Sequence, residues 1–174
     1  MLNLRYPDII DADLCWETLE RSQYSPPDAY LSWLTEPGSL TQALIRKSDG
    51  EFAVQVHEEQ WTSVKDSQLL AQFGPLDCSH RFWSRKVSLL GHGVPWVNAH
   101  TLIPEHSFEG SLAKILELND RPLGEYLFTQ PDLVRSSLEI TPFQGQGWGR
   151  RSLFFVERKP VMVAEFFLPQ LILS

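Results

Sequence analysis

Cysteine is scarce in this chain: Cys15 and Cys78 stand far apart and form no Cys-x-x-Cys pair. A disulfide framework and a thiolate-built metal site are thereby excluded. Two reduced thiols are expected, with one disulfide as the alternative. The five histidines, at 57, 80, 92, 100 and 106, show no His-Glu-x-x-His or comparable pairing, so no metal site is expected. There is no Gly-x-Ser-x-Gly, and neither cysteine has the setting of a nucleophile. The glycines at 145, 147 and 149 miss the spacings of dinucleotide and phosphate loops. No apolar run approaches the ~20 residues of a membrane span. The opening Met1-Leu2-Asn3-Leu4-Arg5 is not a signal peptide, so a soluble cytoplasmic protein is expected. Basic clusters are missing too. The formal net charge is −7, and Arg150-Arg151 is a mere pair. That argues against a phosphate-tracking nucleic-acid face but leaves room for a small anion held by a recessed arginine.

What is present fits one domain over residues 1–174, long enough to enclose a core and a cavity. The most informative stretch is Val161-Met162-Val163-Ala164-Glu165-Phe166-Phe167-Leu168, fenced by Pro160 and Pro169. Its β-branched and aromatic content predicts a strand, and a strand apolar on both faces is one buried on both. Glu165 then sits where an unpaired carboxylate is costly. A matching cation lies in the strand predicted around residues 81–90. There Trp83, Arg85, Val87 and Leu89 share one face, so Arg85 interrupts a core-facing stripe. Arg85 and Glu165 could be a buried ion pair or the two ends of a polar ligand's pocket.

In chain order, residues 9–21 read as a short helix capped by Asp11. A second helix carries Tyr30, Leu31, Trp33 and Leu34 and ends before Pro37-Gly38. Ser39 with Gln42 forms a capping box for a helix over residues 40–46, whose first amides could meet an anion, although a plain capped helix is the simpler reading. Strands are expected over residues 52–57 and 61–64, with residues 58–80 otherwise mixed. The Arg85 strand turns at residues 90–95 into a strand over 96–103. Residues 109–118 read as helix, and Pro122 suits the first turn of another. Strands near 134–140, over 150–157 and over 161–168 follow, with a glycine-bearing loop at 141–149. Hairpin-linked strands with helices predict an α+β fold with an antiparallel sheet. Arg150 and Arg151 read as structural, holding acids such as Asp132 or Glu139 or loop carbonyls. His100 reads as a hydrogen-bonded core-edge residue.

Several of these segments resemble bacterial chorismate pyruvate-lyases. They are Arg121-Pro122-Leu123-Gly124-Glu125-Tyr126-Leu127-Phe128, Leu133-Val134-Arg135, Gly147-Trp148-Gly149-Arg150-Arg151-Ser152 and Ala164-Glu165-Phe166-Phe167-Leu168-Pro169. Upstream, Phe82-Trp83-Ser84-Arg85, Pro95-Trp96 and Thr101-Leu102-Ile103-Pro104 match as well. His100 stands where the family pattern has arginine, and Leu40 where methionine is usual. The resemblance covers about residues 30–170. It implies a cofactor-free lyase making 4-hydroxybenzoate and pyruvate from chorismate, the first step toward the ubiquinone head group. It implies a single antiparallel sheet with helical flaps closing a buried pocket. The expected partners are the small molecules chorismate and 4-hydroxybenzoate, with no nucleic acid and no membrane span, and a monomer is expected. The resemblance places the ring carboxylate on Arg85 and the backbone amides of Leu40 and Leu123, and the ring hydroxyl on Glu165. Arg150 or Arg151 is a weaker candidate for the enolpyruvyl carboxylate. The competing reading is a non-catalytic binding domain, since effector domains of some transcription regulators resemble this fold. Those usually follow a DNA-binding winged helix, for which the roughly thirty residues before the resemblance are too few.

Overall fold

Eight strands pair antiparallel into one sheet, in the order β1-β6-β7-β8-β4-β3-β2, with β5 alongside β7. The strands are β1 (Glu17–Thr18), β2 (Phe52–Ser63), β3 (Arg81–Gly91), β4 (Val94–Pro104), β5 (Val134–Arg135), β6 (Glu139–Phe143), β7 (Gly147–Val156) and β8 (Lys159–Phe167). The helices are α1 (Asp28–Leu34), α2 (Leu40–Lys47), α3 (Ser67–Gln72), α4 (Leu123–Phe128) and α5 (Pro169–Leu173), with a 3-10 helix at Gly110–Glu117. This is a computed structural model describing residues 7–11, 13–143 and 147–174. Among the described residues no helix is long and apolar enough to cross a membrane.

The hairpins set the register. His92 and Gly93 take positive φ (52° and 76°), as do Glu157 and Arg158 (51° and 65°). Two consecutive left-handed residues make the tight turn whose twist suits antiparallel neighbours. From them follow the ladders Arg85↔Thr101 and Arg150↔Glu165, and β4 pairs β8 with Ala99 opposite Glu165. Cross-strand partners share a sheet face. Arg85, Val87, Thr101, Ala99, Val163, Glu165, Arg150 and Phe154 therefore look out on one side. That side is covered by α1, α2, α4 and the 3-10 helix, which bury Leu34, Leu44, Leu112, Ile115 and Leu127. The opposite side holds Phe82, Leu102, Met162, Ala164 and Phe166 under α3 and the N-terminal segment. β8 is thus buried on both faces, as its apolar run predicts.

Four expectations need correction. Residues 9–21 form turns and the short β1 instead of a helix; residue 12 lies outside the described residues. Aspartates there capture the backbone: Asp8 Oδ1 accepts from the Ile10 amide at 2.9 Å and Asp11 Oδ1 from the Asp13 amide at 3.0 Å. Such side-chain bonds compete with helix formation. The segment is held instead by Trp16, whose ring lies 5.8 Å from that of Phe166. Secondly, the two strands expected at 52–57 and 61–64 are one strand, β2, with a bulge between Val56 and Glu58. The bulge shifts the inward positions from even to odd residues, so Val56 faces Val87 while Glu59 faces Arg85. The pattern looked broken because its phase flips. Thirdly, α3 lies in the segment taken as mixed; Asp66 caps it, accepting from the Gln68 and Leu69 amides. Lastly, the strand near 134–140 is two, β5 and β6, and residues 141–143 and 147–149 of the expected loop extend strands; residues 144–146 lie outside the described residues. Gly147 and Gly149 make room for rings: an added Cβ would come 2.5 Å from Phe143 and 2.7 Å from Phe166.

On the sheet face that holds Leu102 and Ala164, His100 is buried and hydrogen-bonded at both ring nitrogens. Nδ1 accepts the Ile9 amide N–H at 3.0 Å and Nε2 meets Ser84 Oγ at 2.8 Å. Burial pushes its pKa down to about 3, with Lys86 pushing the same way and Asp8 opposing. In the unfolded chain histidine titrates near ~6.5. Between those values the unfolded state binds more protons, so the stability from neutral His100 is complete above about pH 6.5 and is lost as pH falls toward 3. Denaturant titrations across that range should show a loss of a few kcal/mol, flattened in His100→Gln. An unchanged slope in His100→Gln would assign the acid sensitivity elsewhere.

Candidate active site

The first amides of α2 and α4 hang over the cavity face. Ser39 caps α2, its Oγ accepting from Gln42 N at 3.3 Å, and Pro122 precedes α4. First-turn amides lack intrahelical partners, so Leu40 and Leu123 begin helices with donors pointing outward. The two helices meet at Thr41 and Gly124, where an added Cβ would lie 3.5 Å from Thr41 Oγ1. Between them and the sheet is a cavity with about 640 Å³ of space free of atoms, mouth included. Ligand sites commonly span ~300–1,000 Å³. Its floor is Val87, Leu89, Ala99 and Val163; its roof is Leu40, Thr41, Leu123 and Leu127. The strand order sets its charges apart: Arg85 projects from β3, while Glu165 and Arg150 face each other on β8 and β7, with Arg135 on the neighbouring β5.

Arg85 is 2% exposed. Nη1 donates to Glu59 on β2, and Nη2 to the Arg121 carbonyl just before α4 at 3.0 Å. A guanidinium has five N–H donors. Nε and one proton on each terminal nitrogen remain for a ligand. Glu165, 9% exposed, accepts from Arg150 Nε at 3.0 Å. Arg150, 2% exposed, also donates from Nη1 to the carbonyls of Trp33, Leu34 and Glu36, at 3.1, 3.3 and 2.9 Å. It thereby ties the end of α1 to the sheet and fixes the direction of the Glu165 carboxylate.

Arg85 and Glu165 therefore do not pair with each other. They sit two strands apart and two residues along, a separation of about 12 Å between Cα atoms at ~4.8 Å per strand and ~3.3 Å per residue. Each has its own structural partner, Glu59 or Arg150, and both line the same cavity. Of the weaker candidates, Arg150 belongs to the cavity, but its Nε and Nη1 are already engaged. Arg151 faces the other side of the sheet, where Nε donates to Glu139 at 3.0 Å and the guanidinium lies over Trp16. His100 is outside the cavity lining. Sequence reasoning missed the two carboxylate–arginine partnerships and the presence of Arg135. The turn at Glu157-Arg158 was the available signal for one of them, because it alone sets Arg150 opposite Glu165.

A sheet face roofed by two helix starts, with Arg85 and Glu165 both lining the apolar cavity between them, defines an antiparallel α+β domain that encloses a cavity. Its fold is similar to that of the effector domain of PhnF from Mycobacterium smegmatis, with a TM-score of 0.51 and 13% identity over 76% of this chain and 90% of that one. The chain belongs to the chorismate lyase family, whose model matches residues 12–173. It is 39% identical over 145 residues to the chorismate pyruvate-lyase of Sodalis glossinidius, covering 83% of this chain and 80% of that protein. It is 33% identical over 144 residues to that of Photorhabdus laumondii, covering 83% of each. With the probable chorismate pyruvate-lyase of Pseudomonas aeruginosa it shares 36% identity over 160 residues, 86% of this chain and 88% of that protein.

Proposed function

We propose that this protein converts chorismate to 4-hydroxybenzoate and pyruvate. The observation that carries the reading is the cavity itself: in a chain of this family, the buried Arg85 and Glu165 face one largely apolar chamber from strands two apart without pairing to each other. The ring carboxylate is received by Arg85 and the amides of Leu40 and Leu123. The C4 hydroxyl donates to the Glu165 oxygen that Arg150 leaves open. A planar guanidinium suits two-point carboxylate binding.

The reaction removes the C4 proton while the C3–O bond breaks. The bond's electrons leave with the enolpyruvyl oxygen, the ring becomes aromatic, and the released enol takes up a proton to give pyruvate. Aromatisation supplies the driving force, so holding the diene in place and excluding water provide most of the acceleration. No metal or nucleotide takes part. The product is the aromatic precursor of the ubiquinone head group, made by a cytoplasmic monomer. The fold likeness to a regulator's effector domain concerns shape alone and does not favour a binding-only role.

Purified protein mixed with chorismate and a chelator should release 4-hydroxybenzoate and pyruvate in equal amounts, at the rate seen without chelator. Turnover that needs an added divalent ion would refute the cofactor-free reading, and no turnover at all would refute the lyase.

A further inference from the structure

Three guanidinium groups and one carboxylate line the cavity. Arg150 commits its Nε to Glu165 and its Nη1 to the carbonyls of Trp33, Leu34 and Glu36, and Arg85 stands on β3, two strands away from Glu165 on β8. Arg135 has no such commitment. β5 pairs it with Phe154 on β7; its Nε donates to Ser152 Oγ at 2.9 Å, and its guanidinium lies over the Phe154 ring, 5.0 Å from the centroid. Among the described residues no carboxylate is hydrogen-bonded or ion-paired to it. Burial lowers its pKa and the Arg150 charge adds to this, with Glu165 opposing. A partly buried cation beside another cation is an arrangement that a bound anion relieves.

Resting on the lyase reading, we propose that Arg135 binds the carboxylate of the enolpyruvyl group. Chorismate is a dianion, and its two carboxylates are at different ends. The enolpyruvyl ether is on C3, next to the C4 whose hydroxyl meets Glu165. Carried on C3, the enolpyruvyl carboxylate starts nearer the Glu165 end than the ring carboxylate on C1 does. Arg135 is at that end: Ser152, which its Nε holds, lies two residues along β7 from Arg150, and Arg135 lines a cleft with Leu34 and Glu36, whose carbonyls Arg150 holds. When the C3–O bond breaks, charge builds on the departing enolpyruvate, and a fixed guanidinium beside it stabilises that charge as well as the ground-state carboxylate. Arg135 also lines an open cleft with Leu34, Thr35, Glu36 and Leu138.

The test separates the two carboxylates. 4-Hydroxybenzoate lacks the enolpyruvyl carboxylate, so its affinity should be blind to Arg135. In Arg135→Ala, kcat/KM for chorismate should fall about 10- to 100-fold, the loss of a charge-assisted hydrogen bond, while the dissociation constant of 4-hydroxybenzoate stays within about twofold. Arg135→Lys should recover part of the loss. Should Arg135→Ala fail to fold by its melting curve, Arg135→Gln is read in the same way. Wild-type kcat/KM in the folded variant, or product affinity falling in step with chorismate, overturns the inference while the lyase reading stands. A wild-type protein that turns over no chorismate overturns both.

Discussion

Arg85→Ala should lower kcat/KM for chorismate by about 10- to 150-fold, equivalent to the ~1.5–3 kcal/mol of a hydrogen bond to a charged group. The larger end is favoured, because the guanidinium is 2% exposed and water can replace it only poorly. Stability should suffer much less. The Glu59 side chain left behind is 29% exposed, so solvent can reach its carboxylate. A pair open to solvent on one side contributes on the order of 1 kcal/mol. The Arg121 carbonyl, 3.0 Å from Nη2, loses one donor at the start of α4. Activity and folding are thereby uncoupled. Steady-state kinetics with melting curves checks this. If Arg85→Ala unfolds, and 4-hydroxybenzoate leaves the wild-type melting temperature unmoved, the Glu59–Arg85 pair is structural and the ring carboxylate binds elsewhere. A product that binds only the folded state must raise that temperature.

Glu165→Gln should have a comparable effect of a different kind. The amide keeps the shape and can still accept from Arg150 Nε, but it loses charge and basicity. If the carboxylate stabilises the transition state or takes the proton from C4, kcat falls by about 10- to 100-fold while product binding changes little, the pattern of an interaction made mainly in the transition state. Glu165→Ala should weaken both, because the ligand hydroxyl is left without an acceptor in an apolar chamber. Arg150 keeps its three backbone carbonyls in either variant, so the end of α1 stays anchored. A Glu165→Gln enzyme with wild-type kcat would limit Glu165 to positioning.

The legible part of this site was what periodicity carries. Period-two alternation exposed Arg85 and Glu165 as charges within apolar stripes, and the unbroken run 161–168 announced a strand buried on both faces. Partners across strands were hidden, since they depend on register. Placing the last turn at 158–160 instead of at Glu157-Arg158 was enough to conceal that Arg150 faces Glu165. The β2 bulge had the same effect on Glu59: one extra residue moved the inward phase and brought an apparent surface acid onto Arg85. Arg135 lies on a two-residue strand, which has no periodicity to read, so only the family motif points to it. The N-terminal turns carry the apolar spacing of a helix, but their aspartates bind their own backbone, which spacing does not show.

The measurement that reaches the centre of this account is a calorimetric titration of 4-hydroxybenzoate into three proteins: wild type, Arg85→Ala and Glu165→Gln. A cavity that grips the ring at both ends predicts one site in the wild type, binding weakened at least tenfold in Arg85→Ala, and binding within a few-fold of wild type in Glu165→Gln. Equal affinity in all three would contradict it, placing the aromatic carboxylate somewhere other than between Arg85 and Glu165.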